Sequence, residues 1–537
     1  MSDTGPPHVR YMRPRMNAGQ TPTFRMLFLA IIACALIFVG YSVIADIQAA
    51  GGQNIAFGAF ALLALALLIA LGFEFVNGFH DTANAVATVI YTNSLPPLVA
   101  VVWSGMWNLL GVLVSSGAVA YSIITLLPVE LILQVGSGAG HAMIFSLLLA
   151  AIVWNLATWA VGIPNSSSHA LIGSIMGVGI ANQLMAPAGD ITYGVDWSQA
   201  QKIFSALLFS LLCGFTLSFI LLWIFRIVLR RHQALFRAPE GHKPPPGWIR
   251  ALLIGTCTGV SFFHGSNDGQ KGMGLIMLIL IGAAPTSYAL NRAMPESSMP
   301  AFVQVANEAT TTFLAHTTTA NQPDIENART IVTEALRNKN IAQPKVYGAL
   351  AVISHGITAS VSNYKSLNAI PAAQVPNVRT DMYLVADALR VMKQEKIFSG
   401  NEATTLQTFA QDLNASTRFI PLWVKIAVAF ALGMGTMVGW KRIVVTVGEK
   451  IGKTHLNYAQ GASAELIAMG TIGLAEGYGM PVSTTQILSS GVAGTMAAQG
   501  SGLQWATLRN MGMAWIVTLP AAMFISGTLF FIFKHIF

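Results

Sequence analysis

Two short segments decide the fold class of this chain: Asn77-Gly78-Phe79-His80-Asp81-Thr82-Ala83-Asn84-Ala85 and His264-Gly265-Ser266-Asn267-Asp268-Gly269-Gln270-Lys271-Gly272. Each segment follows an apolar run, and each places a glycine three residues before an aspartate. A charged side chain at bilayer depth costs about 2.5–3.5 kcal/mol even on the mildest insertion scales, so such residues mark ion pathways or buried partners. The pair of acidic segments therefore predicts a transporter.

The composition is that of an integral membrane protein. Of the 537 residues, 54% are hydrophobic and 10% are charged, whereas soluble domains carry about 25% charged residues. Runs long enough to cross a bilayer lie near 26–46, 56–78, 97–127, 142–163, 203–229, 249–264, 420–440 and 508–534. Shorter apolar pieces lie near 82–95, 168–186, 270–283, 457–478 and 484–498. We therefore predict an all-α integral membrane protein of about 10–12 spans, with broken or re-entrant helices at the midplane.

Positive charge concentrates in short hydrophilic segments rather than over a soluble surface. The formal net charge is +8, and basic residues cluster at 230–250, at 441–453 and before the apolar run 26–46. The positive-inside rule predicts that these segments are cytoplasmic, which argues against nucleic-acid binding. The run 26–46 exceeds the about 7–15 residues of a signal-peptide core, so we predict a retained first span and a cytoplasmic N-terminus. The three cysteines fall within apolar runs and predict neither disulfides nor a metal site.

The layout is duplicated. The first acidic segment is followed by Gly162-Ile163-Pro164-Asn165-Ser166-Ser167-Ser168-His169, and the second by Gly479-Met480-Pro481-Val482-Ser483-Thr484-Thr485-Gln486. Repeats of this kind in membrane proteins suggest two related halves of inverted topology. We predict a tail at 1–25, an extra span at 26–46, a first repeat at 56–229, a basic loop at 230–250, the start of a second repeat at 251–284, an insertion at 285–416 and the rest of the repeat at 420–537.

The insertion 285–416 is polar and has no spanning run. Met382, Val385, Leu389 and Met392 recur at helical spacing within it, which predicts an amphipathic helix. We interpret the insertion as a small, mostly helical cytoplasmic segment that tethers the two halves or regulates them.

The two hydroxyl-rich segments predict helix starts. A proline shortly before Ser and Thr residues that precede an apolar helix is a helix-start signature, and the first helical turn offers free N–H groups and a positive dipole end. Hydroxyls added there form an oxyanion pocket, although a single copy is equally consistent with ordinary N-capping. The predicted anion ligands are Ser166, Ser167, Ser168, Ser483, Thr484 and Thr485.

The acidic segments predict the complementary cation site. A carboxylate about 4 Å from an anion costs roughly 4 kcal/mol at an effective dielectric near 20, so a proton, Na⁺ or divalent metal must lie between Asp81 or Asp268 and an oxyanion. Amide oxygens from Asn77, Asn84 and Asn267 suit hard cations. Anion donors beside cation acceptors together indicate a symporter.

Four further polar residues have two interpretations each. Lys271 either pairs with an aspartate or contacts the anion, and His80 either relays a proton or makes a structural hydrogen bond. Glu74 and Glu465 are either proton or cation sites or reach towards the membrane interface.

On both acidic segments, the chain resembles the inorganic phosphate transporter (Pit) family, and it is closer to the bacterial low-affinity branch than to the sodium-coupled animal branch. The resemblance covers nearly all of the chain from Ala56 onwards. It implies inward symport of phosphate with protons across a bacterial inner membrane, largely as a neutral complex with Mg²⁺ or another divalent metal. It also implies two inverted repeats and a homodimer.

The chain departs from the family pattern at several positions. Ser266 replaces a usual Ala, and Gln486 replaces the His that usually ends the second hydroxyl segment, whereas the first keeps His169. Asn108 stands where sodium-coupled relatives have Glu, but Glu465 matches an acid of those relatives. The span 26–46 is additional to the bacterial pattern.

The sequence thus predicts a proton-coupled importer of inorganic phosphate, with no resident cofactor. The alternatives are sodium–phosphate symport, transport of another tetrahedral oxyanion such as sulfate, and a receptor or scaffold that acts through 285–416. An enzyme is not expected, because no metal-hydrolase spacing or nucleophile–base pair is recognisable.

Overall fold

The structure is a computed structural model that describes residues 21–51, 56–81, 83–127, 131–132, 136–186, 194–318, 322–338 and 340–536. Within these ranges the chain is helical apart from turns, loops and one isolated bridge between Gly452 and Leu503. The first-half helices are α1 Pro22–Ala49, α2 Phe57–Asp81, α3 Ala83–Tyr91, α4 Pro97–Val114, α5 Ala118–Ile124, α6 Gly138–Ala160, α7 Ser167–Leu184 and α8 Trp197–Val228.

The second half begins with α9 Gly247–Ala283 and the short α10 Pro285–Tyr288. The insertion contains α11 Met299–Ala315, α12 Ile325–Arg337, α13 Pro344–Tyr364, α14 Val375–Glu395 and α15 Gly400–Thr417. The chain then continues with α16 Leu422–Thr436, α17 Lys441–Glu449, α18 Tyr458–Gly477, α19 Thr484–Gln499 and α20 Trp505–Lys534. The predicted all-α class is confirmed.

Six of the described helical stretches are long and apolar enough to cross a membrane, and a seventh is added if α15 and α16, bent by 72°, form one span. Large apolar side chains lie exposed on the outer surfaces of these helices, for example Phe209 and Trp223 on α8 and Phe524 on α20. Large exposed apolar surfaces of this kind face lipid in membrane proteins. The number of 10–12 spans stays a prediction.

The two halves pack reciprocally against each other. Helix α7 of the first half packs on α20 of the second, and α19 of the second packs on α8 of the first. In the same way α4 packs on α9, while α16 packs on α2. Each acidic helix therefore lies against a helix of the other half. This arrangement brings the two acidic segments and the two hydroxyl segments to one place.

Helix α9 corrects one sequence prediction. The pieces 249–264 and 270–283 were expected to be separated by a break, but a single helix of 37 residues runs through the second acidic segment. Its glycines serve close packing instead of chain breaking: a Cβ at Gly265 would lie 2.1 Å from the backbone oxygen of Asn108. The predicted span 97–127 is confirmed in place but is too long, since α4 ends at Val114 and Gly117 adopts φ +87° before α5.

The continuity of α9 relates the positions of two segments whose sidedness the sequence predicts. A helix of 37 residues is about 55 Å long, which exceeds the roughly 30 Å hydrocarbon thickness of a bilayer. The basic loop 230–250 and the insertion 285–416 join opposite ends of this helix. The cytoplasmic placement of both segments stays a prediction, and a membrane crossing by α9 would put them on opposite sides.

The insertion has a hydrophobic core of its own. The predicted amphipathic helix is confirmed: Met382, Val385, Leu389 and Met392 all lie buried on α14. They pack with Phe302 and other apolar side chains of the surrounding helices. The segment is thus a folded helical unit rather than a loose tether.

Candidate functional site

Both hydroxyl segments begin helices, as their sequences predict. Ser166 caps α7, where its Oγ accepts a hydrogen bond of 3.2 Å from the backbone N–H of His169. Ser483 caps α19 in the same way, accepting from the N–H of Gln486 at 3.2 Å. These two predicted anion ligands therefore use their oxygens as N-caps. Ser167, Ser168, Thr484 and Thr485 form the first turns.

Asp81 collects hydroxyl groups from both halves. Ser167 Oγ donates to its Oδ2, and Thr485 Oγ1 donates to its Oδ1 at 2.9 Å. His80 Nδ1 also lies 2.9 Å from Asp81 Oδ1, while His80 Nε2 contacts Thr158 Oγ1 at 3.3 Å. The carboxylate is buried at the end of α2. In this conformation Ser167 and Thr485 serve the acid rather than an anion.

Asp268 instead lies between a lysine and a histidine. Lys271 Nζ lies 2.7 Å from Asp268 Oδ1, and His264 Nε2 lies 3.5 Å from Oδ2. Lys271 also donates a hydrogen bond of 2.5 Å to Ser168 Oγ, which in turn donates to the backbone oxygen of Val482 at 2.8 Å. Lys271 thereby links the acid of the second segment to the hydroxyl segment of the first.

Three of these groups converge closely enough to bind one metal ion. One ligand atom each from Asp81, His264 and Asp268 lies within 4.8 Å of the other two. Two carboxylates and an imidazole suit a divalent cation. His264 was not among the predicted site residues, although its position four residues before Asp268 on a helix places both side chains on one face.

The site places three buried acids close together. Glu74 packs against α9, where a Cβ at Gly272 would lie 2.2 Å from Glu74 Cγ. The acids Glu74, Asp81 and Asp268 thus face one lysine, Lys271, and two histidines that are charged only when protonated. Because isolated charges are costly in a low-dielectric interior, a cation or protons must compensate these acids.

Several buried donors have no hydrogen-bond acceptor among the residues that the structure describes. They are Thr484 Oγ1 in the second hydroxyl segment, Asn165 Nδ2 immediately before the first, and Asn77 Nδ2 one turn before Asp81. Buried donors of this kind are usually paired. They are therefore available to a ligand.

Two predicted cation ligands lie elsewhere. Asn267 holds the second hydroxyl segment, since its Nδ2 donates to the backbone oxygen of Met480 at 3.1 Å and its Oδ1 accepts from Val482 N–H at 3.5 Å. Glu465 accepts a hydrogen bond from Thr256 Oγ1. Thr256 and Asp268 lie on the same helix, α9, and the helix rise separates their backbones by about 18 Å. Glu465 is thus apart from the aspartate cluster. The side chain of Asn84 lies outside the described part of the structure.

Comparison with known proteins connects this geometry to a family. A family model described as "PHO4: Phosphate transporter family" matches residues 77–526, which includes both acidic and both hydroxyl segments. The low-affinity inorganic phosphate transporters PitB and PitA of Escherichia coli (strain K12) are each 40% identical over 489 residues, covering 88% of this chain and 96% of theirs. A probable low-affinity inorganic phosphate transporter of Bacillus subtilis is 28% identical over 480 residues, covering 89% of this chain and 99% of its own.

One solved structure is similar in fold. A protein described as "The sodium-dependent phosphate transporter" superposes with a TM-score of 0.49 and 18% sequence identity, covering 89% of this chain and 100% of that chain. A similarity at this level does not bear on the coupling ion.

Proposed function

The chain belongs to the phosphate transporter family, and on that premise we propose that it imports inorganic phosphate by proton symport, with the phosphate carried as a neutral complex with Mg²⁺ or another divalent metal. It is a multi-pass membrane protein. We place it in a bacterial inner membrane with its N-terminus in the cytoplasm, as the basic residues before α1 favour.

The observation that carries the proposal is the convergence of Asp81, Asp268 and His264 beside the first turns of α7 and α19. Helix N-termini favour oxyanions, whereas the two carboxylates repel them. A metal ion or proton between the acids and the phosphate removes this conflict. The neutral metal–phosphate pair also lowers the cost of crossing the midplane.

Each site residue has a proposed role in binding or in ion coupling. The cation is held by Asp81, Asp268 and His264. Phosphate is held by the N–H groups of the two first turns and by the hydroxyl groups of Thr484, Ser166, Ser167, Ser168, Ser483 and Thr485. Lys271 exchanges between Asp268 and the anion, since it already contacts both Asp268 and Ser168. His80 transfers protons beside Asp81, and Glu465 forms a second proton or cation position near Thr256.

The reciprocal packing of the halves supports an alternating-access mechanism. We propose that the halves are inverted repeats and that one rocks against the other around the fixed site, as in other repeat-built transporters. We also propose that the protein forms a homodimer, as the family resemblance implies.

Proteoliposome uptake of labelled phosphate tests the proposal. Proton and sodium gradients are imposed separately, each with and without Mg²⁺, and labelled sulfate is a parallel substrate. We expect uptake of phosphate that requires the proton gradient and increases with Mg²⁺. Uptake driven by sodium alone would establish the sodium–phosphate alternative, and preferred sulfate uptake would overturn the substrate.

Variants of the acids test the site within the same assay. Asp81→Asn and Asp268→Asn should abolish uptake while both proteins still insert and remain monodisperse. Asp412→Asn, a partly exposed position in the insertion, is the matched control and should transport normally. Normal uptake by either site variant would contradict the assignment.

A further inference from the structure

The insertion lies at the end of the molecule opposite the basic loops. Helix α9 runs without interruption from the basic loop to the insertion. The C-terminal end of α1 is at the insertion as well: Trp423 Nε1, just after the insertion, donates to Asp46 Oδ2 at 2.8 Å, and Ser287 Oγ donates to the Asp46 backbone oxygen at 3.4 Å. The N-terminal end of α1, which carries Arg25, therefore lies at the basic end.

The charge distribution distinguishes the two ends. The loop 230–250 has five Lys and Arg against one acid, and the segment 441–453 has four against one. The insertion 285–416 has ten basic and ten acidic residues and is far longer than the short loops whose Lys and Arg set orientation. Because Lys and Arg in short loops mark the cytoplasmic side, this distribution favours a cytoplasmic basic end, with the insertion on the opposite side.

The insertion is attached to the outer ends of the membrane helices. Arg390 Nη2 lies 3.5 Å from Asp196 Oδ2 at the start of α8. Tyr121 Oη donates to the backbone oxygen of Phe419 at 2.8 Å, and the Arg418 guanidinium lies 5.6 Å from the centre of the Tyr121 ring. The unit therefore rests over the outer face of the bundle.

A cationic groove of about 300 Å³ runs between α14 and α15 of the insertion. Its wall contains the four cationic side chains Arg390, Lys393, Lys396 and Arg418, the three amides Gln407, Gln411 and Asn414, and no carboxylate. Arg390 is paired with Asp387 at 2.7 Å. Among the described residues, the other three cations have no carboxylate within ion-pair distance.

We propose that the insertion is an extracytoplasmic domain whose cationic groove binds phosphate groups at the outer end of the transport pathway. Guanidinium and ammonium groups without a carboxylate partner, such as Arg418, Lys393 and Lys396, recognise phosphate together with nearby amide donors. The groove shares no residue with the aspartate cluster. The outer placement rests on the orientation proposed above, but its test does not depend on transport.

Sidedness is tested by cysteine labelling of the full-length protein. In a background without Cys34, Cys213 and Cys257, the exposed residues Thr311 and His242 are changed singly to cysteine. In right-side-out vesicles, a membrane-impermeant maleimide should label Thr311→Cys in the insertion but label His242→Cys in the basic loop only after permeabilisation. The reverse pattern overturns the outer placement, whether or not the protein transports phosphate.

Phosphate binding at the groove is tested with transport silenced. Full-length Asp81→Asn/Asp268→Asn protein in lipid-free micelles should bind labelled inorganic phosphate, and Lys393→Gln/Lys396→Gln should weaken this binding about fivefold. Lys345→Gln/Lys365→Gln, which removes two exposed lysines elsewhere in the insertion, is the matched control and should bind normally.

A second arm identifies the source of the phosphate group. If the Lys393→Gln/Lys396→Gln change weakens only binding to vesicles of phosphatidylglycerol, relative to phosphatidylcholine, the groove recognises a lipid headgroup phosphate. If neither binding changes while both proteins remain folded, the phosphate site is overturned.

Discussion

Thr485 and Asp81 stand 404 positions apart in the sequence, yet the Thr485 hydroxyl donates to Asp81 Oδ1 at 2.9 Å. The contact joins the hydroxyl segment of the second half to the acidic segment of the first. Together with the link from Lys271 to Ser168, it makes one site from four segments. Removal of any one segment therefore affects the others.

The first prediction separates two adjacent threonines. Thr485→Val removes a hydrogen bond to a buried carboxylate, so we expect uptake at saturating phosphate to fall about 10–100-fold, the equivalent of about 1.5–3 kcal/mol. Thr484→Val removes a hydroxyl that has no partner among the described residues, so it should raise the KM for phosphate and leave thermal stability unchanged. Concentration-dependent uptake and thermal unfolding distinguish these effects. Identical behaviour of the two variants would contradict the different roles.

The second prediction concerns the buried ion pair of Lys271 and Asp268. Lys271→Met leaves the Asp268 carboxylate without its closest cation, which should destabilise the protein by about 3–5 kcal/mol. The double variant Lys271→Met/Asp268→Asn removes both charges and should regain most of the thermal stability without regaining uptake. Thermal unfolding in detergent and proteoliposome uptake check the two parts. A double variant that transports phosphate would show that neither charge is needed.

The third prediction uses two glycines of the same helix. Gly265→Ala places a methyl group against the Asn108 backbone, which cannot change rotamer as a side chain can. We therefore expect the free energy of unfolding to fall by about 1–3 kcal/mol. At Gly255 no atom lies within 4 Å of an added Cβ. Gly255→Ala should therefore raise the free energy of unfolding by about 0.5–1 kcal/mol through helix propensity. Thermal unfolding of the two variants gives the comparison. Equal stability would mean that α4 and α9 separate readily.

The fourth prediction concerns pH and the insertion. Burial raises the pKa of Asp381 above 3.8, although Arg329, which donates to it at 2.6 Å, acts in the opposite direction. The contribution of this carboxyl group to the free energy of unfolding is therefore fully present below its pKa in the unfolded chain. It decreases as the pH rises through the pKa of the group in the folded protein. Arg329→Gln should raise that pKa further and lower stability at neutral pH by about 1–3 kcal/mol.

The loss of stability in Arg329→Gln should disappear in acid, because Asp381 is then protonated in both the variant and the parent protein. Asp381→Asn combined with Arg329→Gln should remove most of the deficit at neutral pH. Thermal unfolding of full-length protein between neutral and acidic pH measures both effects. A deficit that persists unchanged in acid would assign it to lost packing of the arginine stem instead.

Local chemistry made much of this protein predictable. Proline and hydroxyl residues indicated where α7 and α19 begin, because caps depend only on neighbouring residues. Helical spacing likewise identified the buried face of α14. Three glycines in the second acidic segment suggested a break, however, because nothing local shows that Gly265 lies against Asn108.

The sequence by itself determined the membrane class, the duplicated segments and the family, since these depend on composition and on residues close together in the chain. Only the tertiary structure decided which groups meet. It joined His264 to the two aspartates, placed Glu465 elsewhere, and put the basic loop and the insertion at opposite ends of α9. These outcomes depend on helix continuity and on packing between the halves, and both arise from contacts between residues far apart in sequence.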